Sequence, residues 1–316
     1  MNETEKKIHE KLRAVMLGHA VADALGVPVE FCDRKELDEN PVTDMMGFGT
    51  YPYPAGSWSD DTSMSLAALD SLGQGTVDFK DIMNKFIRWL EQDEYTPTGE
   101  TFDVGRTCLH AVIRYLETKC HTTEAGGTDE FSNGNGSLMR LYPFVLYAYA
   151  KGLDIDARIA LIESASALTH RHPRALMGCG IYTFVLTALL ENPSMASVGE
   201  ALRQADRYYE GHGEAAHYAR LLSPNFSALA REQIESNGYV VNTLEAALWC
   251  LLNTKSYRDC VLAAVNLGRD TDTVAAVAGS LAGALYGLAD IPAPWLDTLA
   301  RRDYMERLAN RATSAW

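Results

Sequence analysis

"NLGRDTDTVAAVAGSLAGALYG", residues 266–287, places four oxygen-bearing side chains, Asp270 to Thr273, at the mouth of a long alanine–glycine run. A helix start needs one capping oxygen, so four in a row call for a second purpose. Gly279, Gly283 and Gly287 follow at i, i+4 and i+8, surrounded by Ala275, Ala276, Ala278, Ala282 and Ala284. An interior glycine costs roughly 1 kcal/mol relative to alanine, and close approach of neighbouring helices is the compensation this spacing predicts. The segment is therefore read as the central, buried helix of the fold, with its N-terminus opening inside the molecule.

The rest of the chain supports an all-α reading. Ile8, Leu12, Val15 and Met16 follow helical spacing, as do Ile82, Met83, Phe86, Ile87 and Leu90, and then Leu109, Val112, Ile113 and Leu116. Further helices are predicted around 138–150, 156–168, 174–190, 197–209, 243–252 and 257–265, while period-two alternation is nearly absent. The Gly/Pro-rich region 40–57 and the region 118–137 read as loops. With no repeat and no low-complexity linker, residues 1–316 are expected to form a single compact orthogonal helical domain.

Composition narrows the function classes. Lys and Arg number 28 against 42 Asp and Glu, a formal net charge of −14, with no basic block. That argues against a phosphate-backbone binding surface, which needs clustered cations. The six cysteines are far apart, with no C-x-x-C pair, and read as reduced thiols of a cytoplasmic protein. The N-terminus is charged throughout and lacks the apolar core of a signal peptide. The longest apolar stretch, 274–288, is interrupted by Ser280 and three glycines. It falls short of the ~18–20 residues that span a bilayer, so no membrane partner is expected.

The opening theme recurs in "GSWSDDTSMSLAALDSL", residues 56–72, where Ser59, Asp60, Asp61 and Thr62 precede an amphipathic helix. Either stretch alone reads as an ordinary N-cap. If both helix starts converge, Asp60, Asp61, Asp270 and Asp272 crowd one pocket and repel unless protons or cations intervene. Oxygen ligands without sulfur favour Mg²⁺ or Mn²⁺ over zinc. Two such ions would balance four carboxylates, with the Ser59 and Thr273 hydroxyls adding neutral oxygens.

Four other segments carry candidate residues. In "GHAVADALGVPVEF", 18–31, Asp23 reads as a buried acid capping a neighbouring backbone, and Glu30 on its own as a solvated turn residue. In "SNGNGSLMR", 132–140, two Asn-Gly pairs predict a left-handed backbone excursion before a helix near Leu138, either a plain loop or a phosphate seat. In "THRHP", 169–173, His170 and His172 at i, i+2 would not share a helix face, which argues against a zinc pair and for one site-lining or structural histidine. In "TGETFDVGRT", 98–107, Asp103 as a lone acid reads as an N-cap.

Taken in order, these motifs together with "GYVVNTLEAALW", 238–249, resemble the ADP-ribosylglycohydrolase family, in particular the branch resembling the dinitrogenase-reductase-activating glycohydrolase. The resemblance implies an all-α fold with a binuclear Mg²⁺ or Mn²⁺ site in a central cleft. It also implies hydrolysis of the N-glycosidic bond joining ADP-ribose to an acceptor, usually arginine, of a modified protein, with ADP-ribose as product. By the same resemblance Ser59, Asp60, Asp61, Asp270, Asp272 and Thr273 are metal ligands, and Glu30 borders them. Asp103, Glu30 and Asp61 are the catalytic candidates, and Asn135, Gly136, Ser137, His170 and Tyr239 bind substrate.

Ser59 stands where the family usually has Thr, Arg106 where Asn is common, and Arg269 replaces the second glycine of the usual "GGDTDT". Arg269 would either add a cation at the cleft or demand a different backbone angle. Serine-linked, O-acetyl or nucleic-acid-linked ADP-ribose is the alternative substrate, and a non-catalytic ADP-ribose binder is an alternative from another class. A helical His-Asp phosphohydrolase would need paired histidines that this chain lacks.

Overall fold

The computed structural model describes residues 2–316. It contains α1 (Glu3–Gly26), α2 (Arg34–Glu39), α3 (Asp60–Leu72), α4 (Phe79–Gln92), α5 (Arg106–Thr118), α6 (Tyr142–Ala150), α7 (Ile155–Ala167) and α8 (Pro173–Glu191). These are followed by α9 (Met195–Tyr208), α10 (Ala215–Tyr218), α11 (Val240–Asn253), α12 (Tyr257–Val265), α13 (Thr271–Tyr286), α14 (Ala293–Thr298) and α15 (Arg302–Ala315). Among the described residues strand pairing is limited to two isolated bridges, Gly127 with His170 and Gly134 with Tyr239. The all-α expectation holds.

The alanine–glycine helix is central, as its composition predicts. α13 is buried from Thr271 to Gly283, and its pairing with α1 is the most extensive helix–helix contact in the fold. A Cβ at Gly279 would collide with the Gly18 carbonyl and the Ala22 methyl, and one at Gly283 with the Ala14 carbonyl. The glycines therefore let two backbones meet, and the packing of two buried helices offsets their propensity cost. Gly287 lies outside this pattern: it is the C-cap of α13 at φ +78°, a stop signal and not an interior contact.

Three expectations change. The sixth helix starts at Tyr142 instead of near Leu138, because Pro143 fits only the first turn of a helix and residues 138–140 form a turn before it. Gly134 and Gly136 are absent from the left-handed residues, so the Asn-Gly pairs make no such excursion. A Cβ at Gly136 would lie 2.9 Å from both Cys108 Sγ and His170 Cε1, so close packing is the reason for glycine there. Two helical segments, Glu3–Val29 and Pro173–Glu191, also have the length and composition of a membrane span, with 94% and 83% of their most apolar 18-residue stretches buried inside the fold. Their apolar residues are spread around the helix and interrupted by polar ones, so they do not stand out as a continuous run.

Candidate active site

Three backbone junctions bring the distant motifs together. The Thr271 hydroxyl donates to the Gly26 carbonyl (2.8 Å), fixing the start of α13 against the end of α1. Asp23 caps α3 from outside: Oδ1 accepts from Ser59 N (2.9 Å), and Oδ2 accepts from Thr62 N (3.1 Å) and Thr62 Oγ1 (2.6 Å). The loop 133–136 is held by Asn135 N donating to Gly238 O (3.0 Å) and Val240 N to Asn133 O (3.0 Å). A cleft of roughly 450 Å³ opens between these elements.

Its floor is acidic. Glu30, Asp60, Asp103, Asp270 and Thr273 line the cleft, while Ser59, Asp61 and Asp272 lie just beneath, fully or nearly fully buried. Glu30, Asp103 and Asp272 each offer a carboxylate oxygen within 4.8 Å of the other two. Thr273 Oγ1 donates to Asp61 Oδ1 (3.3 Å), which joins the two helix starts directly.

Burial, and then the neighbouring carboxylates, push these acids up. Glu30 rises to about 9 through burial and the charges of Asp103 and Asp270. Asp60, Asp61 and Asp272 are raised well above the usual range, with burial first and Asp103, Asp23 and Glu30 the respective leading neighbours. Asp103 and Asp270 are raised as well, again chiefly by burial.

These donors fit hard divalent cations. Glu30 Oε2, Asp61 Oδ2 and Asp272 Oδ2 are buried without a hydrogen-bond partner, and an ionised carboxylate in that state is costly unless a cation meets it. All the oxygens are carboxylate or hydroxyl.

The walls come from the other motifs. Asn135, Gly136, His170 and Tyr239 line the cleft, together with Phe31, Arg106, Glu130 and Phe131. Asn135 Nδ2 donates to Asp270 Oδ2 (2.8 Å) and to Thr243 Oγ1 (2.9 Å), tying the wall to the floor. Ser137 stands apart: its side chain is fully buried, accepts from Ser166 Oγ (2.8 Å) and faces Cys179. It supports the loop from behind the cleft.

Two single-residue readings are revised. Glu30 is buried and faces the carboxylate cluster, because the Val27–Val29 turn after α1 directs the chain inward. Asp103 is not an N-cap: Gly105 holds that position, and Asp103 sits in the left-handed region (φ 52°) with the Tyr51 hydroxyl donating to its Oδ1 (3.0 Å). Tyr51, Phe31 and Phe131 were not legible as site residues. They sit in irregular segments without spacing, and only an exposed aromatic flanking a motif could have hinted at the two phenylalanines.

The fold and the cleft define an all-helical protein that gathers carboxylates from two buried helix starts. The chain belongs to the ADP-ribosylglycohydrolase family, whose model matches residues 4–316. It is 33% identical over 310 residues to "ADP-ribosylarginine hydrolase Tri1" of Serratia proteamaculans, covering 97% of this chain and 80% of that protein. It is 30% identical over 315 residues to "ADP-ribosyl-[dinitrogen reductase] glycohydrolase" of Rhodospirillum rubrum, covering 99% and 97%. A solved structure titled "ADP-ribosylglycohydrolase-related protein complex" superposes with a TM-score of 0.82 at 34% identity, covering 98% of this chain and 99% of that one. The protein is thus an ADP-ribosylglycohydrolase-family hydrolase.

Proposed function

We propose that the protein removes ADP-ribose from an arginine side chain of a modified protein, using two divalent cations, magnesium or manganese. The observation that carries this reading is the convergence of Glu30, Asp60, Asp61, Asp103, Asp270 and Asp272 at one cleft floor. The relatives named for ADP-ribosylarginine and for dinitrogen reductase support arginine as the acceptor. Ser59, Asp60 and Asp61 from α3, with Asp270, Asp272 and Thr273 from α13, would hold the cations. Bound there, they supply Lewis-acid charge and lower the pKa of water.

The chain supplies the rest. Asn135, Gly136, His170 and Tyr239 position the ADP-ribose, with Ser137 bracing their loop. A water oxygen bonds to the ribose C1 as the C1–N bond breaks, through an oxocarbenium-like state. The substituted guanidinium takes the bonding pair and departs as neutral guanidine. The water proton passes to Asp103, whose carboxylate the Tyr51 hydroxyl holds in place. Glu30 and Asp61 shape the charge around that base. Positioning and charge stabilisation are the main contributions of such a site.

The test is incubation with arginine-, serine- and O-acetyl-linked ADP-ribose, with and without EDTA. Metal-dependent release from the arginine conjugate alone is the expected result. Release from another conjugate would move the acceptor, and ADP-ribose binding without any release would make the protein a binder.

A further inference from the structure

Behind the wall of the cleft lies a cation without a carboxylate. Arg140 is fully buried, and its Nε and Nη1 have no hydrogen-bond partner. Its guanidinium stacks over the Phe86 ring, with 4.9 Å from Cζ to the ring centroid. Nη2 donates to Thr169 Oγ1 (2.8 Å) and, more weakly, to Ala165 O (3.3 Å). Burying a guanidinium with so few partners is expensive. A gain elsewhere has to account for it.

The next link points into the cleft. Thr169 Oγ1 lies 2.8 Å from His170 Nδ1. Arg140 takes one acceptor site of the Thr169 oxygen, and of the two groups facing the hydroxyl proton the Cys108 sulfur is the weaker acceptor. The proton is therefore assigned to Nδ1, giving a donor chain Arg140 → Thr169 → His170 in which each bond polarises the next. A histidine whose Nδ1 accepts carries its proton on Nε2. Among the described residues no protein group hydrogen-bonds Nε2, and His170 lines the cleft beside Asn135 and Gly136. A Cβ on Gly134 or Gly136 would come within 3.4 or 3.5 Å of Nε2, so these glycines leave the space in front of it open. Burial and the Arg140 charge also hold the imidazole down to about 3, so it stays neutral.

We propose that Arg140 is a positioning residue: through the Thr169 hydroxyl it locks His170 as the Nε2–H tautomer, a neutral donor aimed at a ribose or phosphate oxygen of the bound ligand. The ligand rests on the ADP-ribose reading above; the tautomer does not.

Two-bond ¹H–¹⁵N spectra of labelled full-length protein test it, with His170 assigned by its loss in His170→Gln. The Nε2–H pattern should persist unchanged from pH 5 to 8. Thr169→Val should mix the tautomers and weaken ADP-ribose binding about tenfold, the worth of one charge-coupled hydrogen bond. Thr169→Ser should restore both. An Nδ1–H pattern in the wild type, or an unaltered His170 signature in Thr169→Val, overturns the proposal. Should the wild type show the Nε2–H pattern but bind no ADP-ribose, the functional reading fails and the relay stands. Arg140→Met, where it folds, should raise the His170 pKa; where it does not, the threonine pair decides.

Discussion

The two acidic helix starts look alike in sequence and are built differently. At α3 the capping is done by others: Asp23 takes Ser59 N and Thr62 N, and Ser59 Oγ takes Asp61 N (3.3 Å), leaving Asp60 and Asp61 free for the cleft. At α13 the N-cap Asp270 makes no capping bond, and Asp272 Oδ1 accepts from Thr273 N (2.9 Å). Asp270 reaches instead for Asn135, coupling the floor to the substrate wall. Both arrangements free carboxylate oxygens at the positive end of a helix, where negative charge is favoured. At α3 a hydroxyl and an outside carboxylate, Ser59 and Asp23, do the capping and spare both of the helix's own carboxylates; at α13 the carboxylate of Asp272 does both.

The largest test removes the shared feature. Asp60→Ala and Asp272→Ala should each lower turnover by about a thousandfold or more, the scale of losing fixed charge at a reacting centre. Relief of carboxylate repulsion should leave their melting temperatures unchanged or raised in metal-free buffer. Steady-state kinetics beside calorimetry would separate the two effects, and full activity in Asp272→Ala would dismantle the site.

Removal of the metal bears on both helix starts at once. Glu30 has its folded pKa raised to about 9, so the folded chain holds a proton that the unfolded chain releases near 4.5. Stability then falls as pH rises between those values, because the native state binds more protons than the unfolded one. Melting curves in EDTA should decline across that window, and added Mn²⁺ or Mg²⁺ should flatten the decline. Equal slopes with and without metal would contradict the cluster's cation role.

Breaking the bonds that anchor each helix start should then distinguish the two. Asp23→Ala strands two backbone N–H groups and the Thr62 hydroxyl, at about 2–4 kcal/mol. Thr271→Val removes one bond to Gly26 O, at about 1 kcal/mol. Denaturant unfolding would measure both, and equal losses would refute the asymmetry.

Those residues also show what the sequence could carry. α13 was legible as the central helix because alanine and glycine at helical spacing admit only close packing, and "SDDT" was legible as its partner because two identical chemistries ask for one site. Asp23 was legible as a cap. Glu30 and Asp103 were misread as single residues, since burial and a positive φ depend on the packing of distant segments. Tyr51 and the Arg140–Thr169–His170 chain depend on contacts between segments far apart in sequence, and no local period records such contacts. The family resemblance implied Ser137 at the ligand, whereas its hydroxyl accepts from Ser166 Oγ, a contact between distant segments that the local turn motif does not record.

Arg269, just before α13, gives the smallest and most local test. It stands where the family usually has glycine and takes the glycine-like angle itself, φ 66°, directly after Gly268 at φ 79°. Two backbone bonds hold it there, Arg269 N to Cys32 O (2.7 Å) and Phe31 N to Arg269 O (2.6 Å). Its guanidinium lies outward, 3.7 Å from Asp33 and largely exposed, and is not among the residues lining the cleft. Arg269 therefore holds a strained, glycine-like backbone angle and brings no cation to the site. A left-handed non-glycine residue costs about 1–2 kcal/mol, of which glycine's greater unfolded-state freedom returns part. Arg269→Gly should thus stabilise the protein by about 0.5–1 kcal/mol and leave turnover of a small ADP-ribosylated guanidine within about twofold. A destabilised variant would show that the exposed Arg269–Asp33 pair outweighs the strain, contrary to the modest worth of surface pairs.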